Sequence, residues 1–229
     1  MHVLDIGCGP GDVTFMAADL VGPTGRVTGI DRSDDVVQLA RARAETAGYS
    51  NVEFSCTSLE ALPTSVHFDA VVCRYVLVHQ SDPVAFVASA SRLVRSGGLL
   101  AMHEMDVSRG WHSSPRVPLM QQAQQWATDV LTQAGVAVDA GGRLVQIFAD
   151  AQLPTPFLLS ENVVEHADRG VVCNWITGIV RSLLPEMIRS GLVSGDFRVT
   201  HFEEELRAAV TEAPTQVEFV PQICAWVHL

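Results

Sequence analysis

The sequence predicts an α/β protein: a doubly wound, mostly parallel sheet of seven strands, with a helical insertion before the last strand. Three observations carry this. Short runs rich in β-branched residues alternate with helical ones from the first residues, the pattern of strands joined by crossover helices. One of these runs, FDAVVCRY at 68–75, has an almost unbroken apolar centre, as a strand covered on both faces requires. Beyond residue 106 the alternation gives way to helical stretches, and strand-like sequence returns only at 157–166 and 217–229.

In chain order, HVLDIG (2–7) is the first strand, and a helix follows from about 12 to 20. RVTGID (26–31) is the second strand, entered through the turn GPTG. Ser33 stands where a helix cap belongs; Val36, Val37, Leu39, Ala40 and Ala44 then recur on one face until Gly48 stops the helix. NVEFSC (51–56) is the third strand and FDAVVCRY the fourth. A helix over about 83–95 ends at Gly97 and Gly98, and LLAMHEMD (99–106) is the fifth strand. Pro115 and Pro118 open a long helix to about 134, and a shorter one covers 142–151 before Pro154 and Pro156. FLLSENVVEH (157–166) is the sixth strand and VEFVPQICAWVHL (217–229) the last. The expected organisation is one domain over 1–229, with a helical insertion at 167–215. If the sixth strand runs parallel to the others, that insertion roofs the edge where such sheets bind ligands.

Composition narrows the function. Twenty-six acidic residues against 15 basic ones give a formal net charge of −11, which repels a phosphate backbone, so nucleic acid is not an expected partner. Every basic side chain is an arginine. The absence of lysine excludes Schiff-base chemistry and a phosphate-loop lysine. No apolar run reaches the roughly 18 residues of a membrane span, and no basic-then-apolar leader precedes the first strand. Cys8, Cys56, Cys73, Cys173 and Cys224 are odd in number and never spaced CxxC, as expected of reduced thiols in a cytoplasmic protein. No group of residues has a spacing that suggests a metal site.

The stretch VLDIGCGPGD (3–12) is the most informative. Gly7, Gly9 and Gly11 allow backbone angles that side chains forbid and let the chain approach a ligand at the start of the next helix. A dinucleotide fingerprint would place a third glycine where Asp12 stands. Asp5, inside the strand, would be costly to bury unless it met a cation or hydrogen-bond donors, and the ammonium of an amino acid would serve.

LDIGCGPG resembles the first motif of class I S-adenosylmethionine-dependent methyltransferases, a Rossmann-like superfamily, and specifically its small-molecule, ubiquinone/menaquinone-methyltransferase-like members. The resemblance continues to about residue 106. It implies S-adenosyl-L-methionine as cofactor, with Asp5 helping to hold the methionine amino group and the loop Gly7, Cys8, Gly9 and Gly11 passing against it. Asp31, at the end of the second strand, would bind the ribose hydroxyls, with the Arg32 stem along the adenine. In VEFSCTSLEALP, Ser58 stands where the family commonly has an acid for the adenine amino group, with the Leu59 backbone beside it. FDAVVCRYVLVHQSDP matches the fourth block and puts Cys73 and Arg74 near the methionine portion. Family members usually carry helices before the first strand, whereas this chain opens almost on it.

Methyl transfer from a sulfonium needs alignment and dry surroundings, and a base only where the acceptor has a proton to lose. Candidates for that base are His103, at the end of the fifth strand, and His79, after the fourth. Glu104 lies on the opposite face of the strand from His103. Trp111 and His112, in the loop that follows, and the helical face Trp175, Ile176, Ile179, Val180, Leu183, Leu184 and Met187 are either packing or substrate contacts. The expected activity is methylation of a small, largely apolar acceptor at oxygen, nitrogen or carbon; a homodimer is left open. Two rivals stand beside it, a nicotinamide-dependent oxidoreductase and a non-methylating protein that binds the same cofactor.

Overall fold

The computed structural model describes all 229 residues. Its strands and helices are, in order, β1 (His2–Ile6), α1 (Asp12–Val21), β2 (Arg26–Asp31), α2 (Asp34–Ala47), β3 (Val52–Cys56), β4 (Phe68–Arg74), α3 (Pro83–Ser91), β5 (Val94–Met105), β6 (His112–Ser114), α4 (Pro118–Gln133), α5 (Leu144–Asp150), β7 (Phe157–Glu161), β8 (Val164–His166), α6 (Val171–Arg189), α7 (Val199–Thr211), β9 (Gln216–Glu218) and β10 (Gln222–His228). Seven strands form one sheet in the order β3-β2-β1-β4-β5-β10-β7. The pairs from β3 through β5 are parallel. β10 returns against β5: the Leu229 N–H donates to Gly98 O and the Asp106 N–H to Pro221 O, so the two strands run in opposite directions. The seven-stranded, mostly parallel sheet therefore stands.

The chain divides into two compact units, one made of Met1–Glu104, Ala140–Leu159 and Ile223–Leu229, the other of Met105–Asp139 and Ser160–Gln222. In the first, the apolar positions of β1 and β4 give fully buried Leu4 and Val71, packed with Leu100 and Met102 of β5 and with Leu144, Ile147 and Phe148 of α5. Side chains buried on successive positions, such as Val3 and Leu4, or Ala70 and Val71, mark strands covered on both faces.

The second unit takes in more of the chain than the 167–215 insertion. α4 buries Met120, Ala123, Ala127 and Val130 in the same core as Val172, Ile176 and Val180 of α6 and Leu206 of α7. Apolar residues at helical spacing choose the nearest apolar face, and for α4 that face is α6. α6, by length and composition alone, is apolar enough to cross a membrane, although Asn174, Arg181 and Glu186 interrupt its apolar run. Its buried residues lie in this helical core, and on its exposed side Arg181 reaches Glu203 at 3.6 Å.

Two expected strands are each broken in two. β7 belongs to the large sheet, while β8 pairs antiparallel with β9 in a three-stranded sheet, β6-β9-β8. β9 and β10 are separated at Phe219–Pro221, where Pro221 supplies no backbone donor. The strand β6 has no counterpart in the sequence reading.

Candidate functional site

A cavity of about 300 Å³ opens in the first unit at the carboxyl ends of β1, β2 and β4. Its wall includes Gly7, Asp31, Arg32, Thr57, Ser58, Leu59, Arg74, Tyr75 and His79. The crossing from β1 to α1 shapes one side. Gly7 has φ +69°, and a Cβ there would lie 2.3 Å from Val76 Cγ2, so no other residue fits without displacing Val76. Gly9 has φ +54°, and a Cβ on it would meet nothing within 4 Å. The loop is thus bare toward open space at Gly9 and toward packed protein at Gly7.

Asp31 is held in place by this loop. Its Oδ2 accepts the Gly9 N–H at 3.0 Å and its Oδ1 accepts the Ser33 N–H at 3.0 Å. Each carboxylate oxygen keeps a second lone pair, so the group remains able to accept two hydroxyl donors from a ligand on the wall. Ser33 therefore caps α2 by position only, since its side chain makes no capping bond. Arg32, on the exposed rim, pairs with Glu60 at 3.3 Å. Hydrogen bonding from Ser58 is the main cause that lowers the Glu60 carboxyl, and the Arg32 charge adds to it.

Asp5 departs from its expected place. It is 1% exposed, lies off the cavity wall, and its Oδ2 accepts from the Thr14 hydroxyl at 2.6 Å. Burial lifts its carboxyl to about 7, against the opposing effects of the Thr14 hydrogen bonds and of the Arg74 charge. Asp5 ties the first turn of α1 to β1 and so braces the glycine loop. Its Oδ2 is engaged by Thr14 and not by a group of the cavity wall. The reason is local: Thr14, in the first turn of the helix that the loop opens, supplies a donor to a carboxylate at that depth. Cys8 likewise turns away from the cavity, packing with Val37, Ala40 and Phe54, and burial pushes its thiol up to about 12.

Residues 1–152 match the profile of a methyltransferase domain family. The chain belongs to that family. It is 32% identical over 124 residues to the demethylmenaquinone methyltransferase of Lactococcus lactis, a match covering 54% of this chain and 46% of that protein. It is 39% identical over 101 residues to the ubiquinone biosynthesis O-methyltransferase of Methylocella silvestris, covering 44% and 38% respectively. The chain thus spans less than half the length of either relative. The crystal structure of the YcgJ protein from Bacillus subtilis superposes with a TM-score of 0.59 at 19% identity, over 100% of this chain and 92% of that one, a likeness of fold.

Within this methyltransferase domain the two candidate bases separate. His79, at the end of the 3-10 turn Leu77–His79, lines the cavity. His103 does not; it pairs in register with Arg74 one strand further along the sheet, and its ring lies 5.4 Å from that of Tyr75. Glu104, fully buried, accepts the Val78 N–H at 3.2 Å and so fixes the turn that carries His79. Cys73 is buried in the sheet core behind Arg74 and off the wall, and burial is the main cause that raises its thiol.

Several site residues escaped the sequence reading. Tyr75 lines the cavity with φ +60°, a backbone region costly for an aromatic residue and most often kept where function demands it. The Arg74 guanidinium lies 5.1 Å from the centre of its ring. Thr57 is on the wall, its N–H donating to Asp31 O at 2.9 Å. Arg43 secures the loop from outside, donating to Pro10 O at 2.6 Å and to Asp12 at 2.8 Å. Asp12, at the position where a dinucleotide site wants glycine, is therefore engaged in holding the helix start.

Proposed function

We propose that this chain is an S-adenosylmethionine-dependent methyltransferase acting on a small, largely apolar acceptor. The observation that carries the reading is Asp31, presented on the cavity wall beside a loop whose open side is glycine, with both of its oxygens oriented by backbone donors. Residues Gly7, Gly9, Asp31, Arg32, Ser58, Leu59 and Arg74 would hold the cofactor, which when bound supplies a methyl group on a sulfonium. Asp31 accepts the ribose hydroxyls. Arg74, a cation on the wall, offers a donor fork for the carboxylate of the amino-acid portion. Asp5 and Thr14 keep the loop closed from below, and Glu104 holds the turn from which His79 faces the cavity. His79 is the group positioned to take a proton from an acceptor hydroxyl or amine, and where the acceptor has none to lose the site works by alignment.

The relatives' names concern quinone methylation, which supports an apolar ring-bearing acceptor. Neither the family match nor these relatives support the nicotinamide alternative. Incubation with methyl-labelled S-adenosylmethionine and a panel of uncharged phenols, hydroquinones and aromatic amines, read by mass spectrometry, tests the reading. Labelled product from at least one acceptor is the expected result. Tight cofactor binding with no transfer to any of them would contradict it and favour a cofactor-binding protein without methyl transfer.

A further inference from the structure

The second unit has a cavity of about 200 Å³ whose wall includes Trp111, Ile179 and Leu183, residues that the sequence left between packing and substrate contact. Ten residues line it, and none is charged. One wall is formed by Trp111 and Phe219, whose rings stack on each other nearly parallel, 13° apart with centroids at 6.0 Å. Both are almost fully buried, at 4% and 6% exposed. Trp175 packs edge-on against Phe219 at 5.1 Å and braces it from behind. Ile179 and Leu183 of α6 are only partly buried, which leaves the pocket open to a ligand along that helix.

The polar groups on the wall are few. The Trp111 ring N–H already donates to Met120 O at 2.7 Å, so a ligand gains no donor there. The Ser182 hydroxyl is the one other hydrogen-bonding side chain that lines the space. A cavity so lined offers water too few partners to be held, and a space somewhat above 150 Å³ with apolar walls takes a single aromatic ring. A charged molecule would be left without a counter-ion and is excluded.

We infer that the second unit binds an uncharged, single-ring aromatic molecule between Trp111, Phe219 and the Ile179–Leu183 stretch of α6, with the Ser182 hydroxyl meeting a ring substituent. This site stands on the second unit alone and does not rest on the methyl-transfer reading. The probes are toluene and p-cresol, with benzoate as the charged comparison, titrated into the full chain by ligand-detected NMR. Saturable binding of toluene and p-cresol with dissociation constants at or below about 1 mM is the expected result, with benzoate at least about tenfold weaker. Ile179→Phe, which fills the cavity from its partly exposed side, should weaken both by at least about tenfold. Ser182→Ala should lower p-cresol affinity to that of toluene. A crystal soaked with p-cresol gives a second readout that does not depend on any variant folding. No saturable binding, benzoate binding as well as p-cresol, or density for p-cresol only elsewhere would overturn the proposal. S-adenosylhomocysteine titrated into the same samples separates the two readings, since its binding tests the first unit whatever the ring probes do.

Discussion

Two of the cavities of this chain differ in how they are made, and the difference shows where recognition is written. The one in the first unit is rimmed by charge, with Asp31, Arg32 and Arg74 on its wall, and each part comes from a short stretch at the end of a strand. The other, in the second unit, is walled by Trp111, Phe219, Ala127 and Ile179, which lie far apart in the chain and meet through the pairing of β6 with β9 and the packing of α4 on α6. Polar sites at strand ends are built locally, because backbone geometry alone delivers the group. Apolar sites between helices are built by long-range packing, and the residues that form them look like any other core.

Substitutions sharpen this contrast. Trp111→Ala should have the largest effect, because it removes a buried ring, its stack on Phe219 and its bond to Met120 O together. A loss of about 3–5 kcal/mol in denaturant unfolding is expected, with affinity for S-adenosylhomocysteine kept within about threefold if the two units recognise independently. A large fall in that affinity would break the comparison.

Asp5 tests the first unit from inside. Its carboxyl, raised by burial to about 7 from 3.8, keeps its proton in the folded chain at pH values where the unfolded chain has lost it. The stability this contributes is complete below about pH 4 and disappears as pH rises through about 7, a change on the order of 4 kcal/mol. Asp5→Asn should flatten that slope, which urea midpoints at about pH 5 and pH 8 would show. An unchanged slope would mean that Asp5 is not the titrating group.

Gly7→Ala comes next. The positive φ and the 2.3 Å approach to Val76 should together cost about 2–3 kcal/mol of stability and narrow the cavity, seen as a lower Tm and weaker cofactor binding. Arg32→Ala should matter least, since its pair with Glu60 is exposed on both sides. A change within about 1 kcal/mol in cofactor affinity is expected by calorimetry.

The sheet was legible because strands covered on both faces leave long apolar runs, and β1 through β4 fall within a residue or two of where sequence places them, whereas β5 starts at Val94, inside the helix expected over 83–95, which ends at Ser91. The placing of Asp31 was legible for the same reason: a carboxylate that ends a strand opposite a glycine turn has one place to go. What sequence hid depends on partners distant in the chain. Asp5 reads as a ligand until Thr14 is seen to take it. His103 and His79 read alike until the pairing of β4 with β5 sets one of them a strand away from the cavity. Glu104 shows its task only when Val78 lies against it. The single-domain expectation missed the size of the second unit because the apolar stripe on α4 fits a sheet face as well as it fits α6. The strand breaks at 162–163 and 219–221 follow from the small sheet of β6, β9 and β8, a long-range pairing with no local signal.

On this account the cavity lined by Gly7, Asp31 and Arg74 holds the cofactor of a methyltransferase. Isothermal titration of S-adenosylhomocysteine into the wild-type chain and into Asp31→Ala tests it most directly. Micromolar-range binding by the wild type, weakened by about 1–3 kcal/mol in the variant, is the expected result. No heat of binding at millimolar ligand, or equal affinity in both proteins, would contradict it.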